Sequence, residues 1–142
     1  MAHAVETHNV FRDDEARRED FASLARIRGE TGVPIAAGEN WCTSFQFAQA
    51  LAAGAIDHAQ PSVTKVGGIT ESNKVCDIAA KAGKTVMPHS PYFGPGYWAT
   101  LQLAAARPEI GLFEHLYIDQ EAVIDPSMPR PQKGQLVIPD LP

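Results

Sequence analysis

The chain contains no apolar run approaching the roughly 18 residues that mark a membrane span, and Met1 to Arg12 hold no apolar core of a signal peptide. Both absences lead to the expectation of a cytoplasmic protein with no membrane partner. Cations are also scarce. Lys and Arg number 12 against 17 Asp and Glu, a formal charge of −5, and a nucleic-acid partner would want a basic face instead. Cys42 and Cys76 are the only cysteines and form no CxxC pair, which favours two reduced thiols over a disulfide or a thiolate metal site. The 142 residues suffice for one domain with a buried core but fall short of the about 250 that a whole eight-fold βα barrel needs.

What is present is a globular composition, 44% apolar and 20% charged, with a βα rhythm from Glu19 onward. Residues 1–18 stand apart: His3 to His8 has no usable period and Arg12 to Arg18 alternates charge, so an irregular N-terminal segment is expected there. Phe21, Leu24, Ala25 and Ile27 recur at helical spacing before Gly32 and Pro34. Val33 to Ala37 then reads as a buried strand. Thr43 and Gln46 have the spacing of a capping box, with Phe45, Ala48, Leu51 and Ala52 as the expected buried face and Gly54 as terminator. Ile56 to Gln60 is the next strand. Thr70 is the expected cap of a helix carrying Val75, Ile78 and Ala79 and closing at Gly83. Thr85 to Met87, a helix over Tyr97 to Ala106, and a strand over Gly111 to Phe113 complete the series. After Leu116 the alternation stops, and Pro126 to Pro142 reads as an extended return segment. Strands alternating with helices at this pitch imply α/β architecture: about four parallel βα units, a partial barrel, over residues 19–142.

Polar groups follow the expected strands. Glu39, Ser62, His89 and Glu114 stand in sequence at intervals of roughly 25 residues, about one helix, one strand and two loops. Side chains at the ends of successive parallel strands open into one mouth of a barrel, where catalytic groups sit.

The segments Ala37-Gly38-Glu39-Asn40-Trp41, Gln60-Pro61-Ser62-Val63-Thr64-Lys65-Val66-Gly67-Gly68-Ile69-Thr70-Glu71 and Pro88-His89 closely resemble the second half of the barrel in the enolase superfamily. The likeness is to its mandelate racemase and muconate lactonizing branch, on the acid-sugar dehydratase side. Leu112-Phe113-Glu114 and Val137 to Pro142 fit the same branch. The resemblance implies a Mg²⁺ cofactor held by three acids at three consecutive strand ends, Glu39 being the third; hard cations take such oxygen ligands. It implies a substrate bearing a carboxylate, whose adjacent carbon loses a proton while the resulting enediolate is stabilised. His89 matches the histidine that moves the proton, and Glu114 the acid that hydrogen-bonds the developing oxygen. Asn40, Ser62 and Lys65 are the substrate-binding candidates.

The departures carry expectations of their own. Too few residues precede Glu39 to hold two further acidic strand ends, a lysine-bearing strand and a capping domain. Ser62 stands where racemase-like members carry an aspartate that sets the histidine's tautomer, so only a hydroxyl is left to orient His89. The expectation is a dehydratase- or racemase-type half-barrel that is inactive by itself. Its alternative is a non-catalytic, self-associating module, a homo-oligomer or the partner of a complementing half-barrel, because open strand edges invite pairing.

Each singled-out residue also has a plainer reading. Glu39 could cap the helix at Thr43, His89 could be a loop histidine, and Glu114 could pair with Lys65. His58 and His115 read as structural or exposed. Gly67 and Gly68 resemble a phosphate cradle but equally a turn into a helix. Tyr92, Phe93, Tyr97 and Trp98 could wall the site or pack helix against barrel.

Overall fold

The computed structural model describes residues 5–6, 20–116, 118 and 125–139. Four parallel strands, β1 (Val5–Glu6), β2 (Ile35–Ala37), β3 (His58–Ala59) and β4 (Thr85–Val86), lie side by side in chain order. Helices α1 (Phe21–Thr31), α2 (Ser44–Ala52) and α3 (Gly68–Lys81) connect them, and α4 (Pro95–Ala106) follows β4. This is the partial parallel βα barrel that the alternation predicts. Two memberships differ. The segment expected to be irregular supplies Val5–Glu6 as β1, paired in register with Ile35 and Ala36; the rest of residues 1–18 lies outside the described residues. Gly111 to Phe113 is no strand, and only a single parallel bridge joins Ile110 to Val86. A two-residue strand with one apolar member carries no period, so β1 was illegible. In Gly111-Leu112-Phe113 the apolar pattern is present but the ladder stops one residue earlier.

Helix α1 starts because the Asp20 carboxylate accepts from the Ser23 amide at 3.0 Å and from its hydroxyl at 2.7 Å, filling donors that the first turn leaves unpaired. It ends at Gly32, whose left-handed φ of 65° lets its amide turn back to the Arg28 carbonyl. Leu24 is buried, with Phe21, Ala25 and Ile27 packed against the core, as the stripe predicts. The face of α2 is corrected in part: Leu51 packs against the core as expected, but Phe45 does not. Phe45 is 79% exposed, while Ser44, Phe47 and Ala50 are buried. Both sets have helical spacing, and what selects the second is Trp41, a buried ring that Phe47 meets edge-on at 4.9 Å and Phe21 at 5.2 Å. The capping box also shifts. Thr43 is the N-cap without a side-chain cap bond, and Gln46 Oε1 instead accepts from the Cys42 amide at 2.9 Å. Helix α3 begins two residues before the expected cap Thr70, with Gly67 as N-cap. Beyond α4 the return segment carries no helix or named strand among the described residues, only a bridge between Gln132 and Gln135.

Beneath the sheet, at the N-terminal end of β3, Asp57 ties three elements together. It accepts both guanidinium bonds of Arg28 at 2.6 Å, the Lys84 ammonium at 2.7 Å and the Ile35 amide at 3.2 Å. The cations hold its carboxyl well below the usual carboxylate range.

Candidate active site

The C-terminal strand ends are held together by hydrogen bonds that continue past the strands. Gln60 N–H donates to the Ala37 carbonyl at 2.9 Å, Met87 N–H to Ala59 at 2.8 Å, and His89 N–H to Pro61 at 3.1 Å. Pro61 and Pro88 are both buried with almost no exposed area; lacking an N–H, they leave no donor stranded where the strands splay. Gly38 makes the exit from β2 possible. Its φ is +128°, and a Cβ there would meet Phe47 Cε1 at 2.4 Å, so the chain passes over the Phe47 ring only without a side chain.

These exits, together with the loop after the Ile110 bridge, bring Glu39, His89 and Glu114 into one cluster. His89 Nδ1 lies 2.9 Å from Glu114 Oε2 and 3.3 Å from Glu39 Oε2, with the imidazole 8% exposed and the carboxylates 28% and 16%. Carboxylate oxygens lie on the Nδ1 side of the ring, where a hydrogen on Nδ1 has an acceptor, and Nε2 is then the nitrogen left to act as a base. Glu114 Oε2 also accepts from the Ser90 amide at 3.0 Å. The Glu114–Lys65 pairing is not what forms: Lys65 Nζ donates to Asn40 Oδ1 at 2.8 Å, and Asn40 Nδ2 donates to Glu39 Oε1 at 2.8 Å. Lys65, Asn40 and Glu39 therefore make a relay along the rim. Asn40 and Lys65, expected at the substrate, here orient the carboxylate of Glu39.

Ser62 is corrected in its orienting role. It is fully buried at the end of β3, yet its hydroxyl bonds the Tyr92 hydroxyl, and lies 3.2 Å from Thr64 Oγ1. The group facing His89 Nδ1 is carboxylate after all, from Glu114 and Glu39. Sequence reasoning missed this because the histidine's partners come from other segments of the chain, the exit of β2 and the loop after Ile110.

The remaining candidates divide by location. Of the aromatic group, Tyr92 stands edge-on to His89 with ring centres 6.3 Å apart and walls the mouth. Tyr97 packs instead, against Phe113 and His115, and burial pushes its hydroxyl up to about 12. Trp98 Nε1 donates to Asp125 Oδ2 at 2.7 Å, pinning the return segment to α4. His58 meets Thr85 Oγ1 at 2.6 Å, and His115 Nδ1 meets Tyr97 Oη at 2.9 Å; both serve structure, and burial lowers the His115 value. The phosphate cradle at Gly67 is filled by the chain's own acid. Glu71, in the first turn of α3, accepts from Ser44 Oγ at 2.8 Å and pairs with Lys74, and a Cβ on Gly67 would meet its Cγ at 3.0 Å. A carboxylate there complements the helix end and repels an anion.

For a metal, Glu39 offers hard oxygen donors of the kind Mg²⁺ takes. Even so, among the described residues no group of three or more His, Cys, Asp or Glu is arranged to hold an ion. The donor chemistry fits and the donor number does not.

With this geometry in place, the comparisons are specific. The family described as enolase C-terminal domain-like matches residues 1–142. A D-galactarolactone cycloisomerase from Agrobacterium fabrum is 36% identical over 88 residues, 62% of this chain and 23% of its own. A D-galactonate dehydratase from Ralstonia nicotianae is 36% identical over 86 residues, 61% of this chain and 22% of its own. The crystal structure of a mandelate racemase/muconate lactonizing enzyme from Jannaschia sp. CCS1 superposes with a TM-score of 0.75 at 27% identity, covering 89% of this chain and 32% of that one. The matches thus span less than a quarter of each of these two relatives. No helix among the described residues is long and apolar enough to cross a membrane.

Proposed function

This chain belongs to the enolase C-terminal domain-like family, and from that premise we propose that it is the C-terminal barrel portion of a Mg²⁺-dependent dehydratase or racemase acting on a sugar acid or hydroxy acid. The observation that carries the reading is His89 Nδ1 set against Glu114 Oε2 at 2.9 Å and Glu39 Oε2 at 3.3 Å, at the C-terminal end of a parallel sheet. With Nδ1–H held by carboxylate, Nε2 accepts the proton from the carbon next to a substrate carboxylate, or returns one to a departing hydroxyl. Glu114, whose Oε2 accepts from the Ser90 amide, would be protonated on its other oxygen when it hydrogen-bonds the developing enediolate. Similarity to a D-galactonate dehydratase and a D-galactarolactone cycloisomerase supports a polyhydroxy acid as substrate.

The chain's own contribution to a magnesium site is Glu39, oriented by Asn40 and Lys65. Bound Mg²⁺ would supply the positive charge that offsets the substrate carboxylate. One carboxylate falls short of the three that the resemblance implies, so in this reading the isolated chain is inactive and works with a complementing half-barrel. Two measurements test this. Calorimetry of the chain with millimolar MgCl₂ is expected to show no isotherm; a one-to-one isotherm abolished by Glu39→Gln would show the site complete without a partner. Co-production with the upstream portion of the Ralstonia nicotianae D-galactonate dehydratase is expected to restore deuterium uptake at the carbon next to the carboxylate of D-galactonate. Loss of uptake in His89→Asn supports the assignment. A stable complex without uptake overturns it.

A further inference from the structure

Beside the carboxylate cluster lies a row of three hydroxyls that the reaction just described does not use. Ser62 Oγ, fully buried at the end of β3, bonds Tyr92 Oη on one side and meets Thr64 Oγ1 at 3.2 Å on the other. Thr64 is exposed and Tyr92 half-buried, so the row runs from solvent through a buried centre to the ring beside His89. Three hydroxyls carry three O–H donors, and two contacts consume two of them; one donor and several lone pairs are left over. A neutral group of rotatable hydroxyls is suited to another hydroxyl, which both donates and accepts. It holds no positive charge for a carboxylate, and the adjacent Glu39 and Glu114 repel one.

The row is held from behind. Gly96, in the first turn of α4, has no side chain to lift Thr64 or the Tyr92 ring: a Cβ there would meet Thr64 Cγ2 at 2.9 Å and Tyr92 Cδ2 at 3.5 Å. On its other side the Tyr92 ring meets His89 edge-on at 6.3 Å, which sets the hydroxyl's distance from the imidazole.

We infer that Ser62, Thr64 and Tyr92 form a subsite for a substrate hydroxyl, and that this row, rather than the carboxylate cluster, distinguishes polyhydroxy acids from their deoxy counterparts. The inference rests on the proposed function only for the identity of the natural ligand. Its test therefore uses neutral, metal-free probes: D-galactono-1,4-lactone and the unhydroxylated γ-butyrolactone, titrated into chain carrying ¹³C-labelled tyrosine.

The hydroxylated lactone is expected to shift the Tyr92 ring resonances saturably, and γ-butyrolactone to leave them in place. Ser62→Ala removes the shared centre of the row and is expected to raise the midpoint about fivefold or more, the worth of one hydrogen bond. Thr64→Val, at an exposed position, gives a smaller rise without threatening the fold. Equal shifts with both lactones, no shift with either, or midpoints unchanged in both variants overturn the subsite. None of these outcomes bears on Glu39 or magnesium, so failure here leaves the deuterium-uptake test of the proposed function standing, and the reverse.

Discussion

Glu114 reaches His89 from the loop beyond the Ile110 bridge and closes a 2.9 Å contact between Oε2 and Nδ1, while the same oxygen accepts the Ser90 amide at 3.0 Å. One carboxylate oxygen thus fixes both an imidazole and a buried loop. Replacing Glu114 by Ala takes the acceptor from the Ser90 N–H, whose residue is fully buried. The expected loss is about 1–3 kcal/mol, read from urea unfolding. Glu114→Gln keeps an acceptor oxygen and is expected to lose less. Equal losses in the two variants would show that the acceptor is not what stabilises the loop.

The Asp57 junction predicts a pH dependence. Arg28 and Lys84 lower the folded-state pKa below the unfolded value of about 3.9. Such a group contributes its full stability above the unfolded pKa and loses it as pH falls toward the folded value. Asp57→Asn is expected to cost about 1.5–3 kcal/mol at pH 7. The difference from the wild type should shrink progressively below pH ~4. Denaturant unfolding at pH 7 and pH 3 measures it; a gap that does not narrow on acidification would contradict the ion-pair account.

Gly38→Ala tests how the candidate site is seated. The new Cβ would lie 2.4 Å from Phe47 Cε1 at a φ of +128°, so the Phe47 ring must move from its contact with Trp41. A cost of about 1–3 kcal/mol is expected from overpacking. Phe47→Ala, which empties a fully buried position, is expected to cost about 3–5 kcal/mol. The double variant should be less destabilised than the two single losses together, since the clash partner is gone. Strict additivity would show that the glycine is required for another reason.

The two thiols should separate by accessibility. Cys42 is exposed and Cys76 buried, and burial pushes the Cys76 thiol up to about 11, which suppresses its thiolate. In native protein at pH 8, a disulfide reagent is expected to react quickly with Cys42 alone. Cys76 should follow at the rate of unfolding. Rapid reaction of both would mean that α3 opens far more readily than its packing implies.

The βα alternation was legible because helices and parallel strands each leave a local signature: a stripe on α1, a short apolar run in β2, glycine at helix ends. So were the residues that meet in the cluster, Glu39, His89 and Glu114, together with the family likeness they carry. Other features had no local signature. Phe45 and Phe47 compete equally for the buried face of α2, and only Trp41, arriving from the loop before it, decides between them. Val5–Glu6 is too short for a period and becomes a strand only by pairing with β2. The partner of His89 depends on which segments lie side by side at the strand exits, and Tyr92 joins Ser62 across 30 residues because α4 closes against the loop after β3. Sequence by itself determined the element types and the chemical inventory, since both follow from near-neighbour chemistry. Pairing within that inventory was decided by tertiary packing, because hydrogen bonds and ring contacts depend on distances that chain order does not encode.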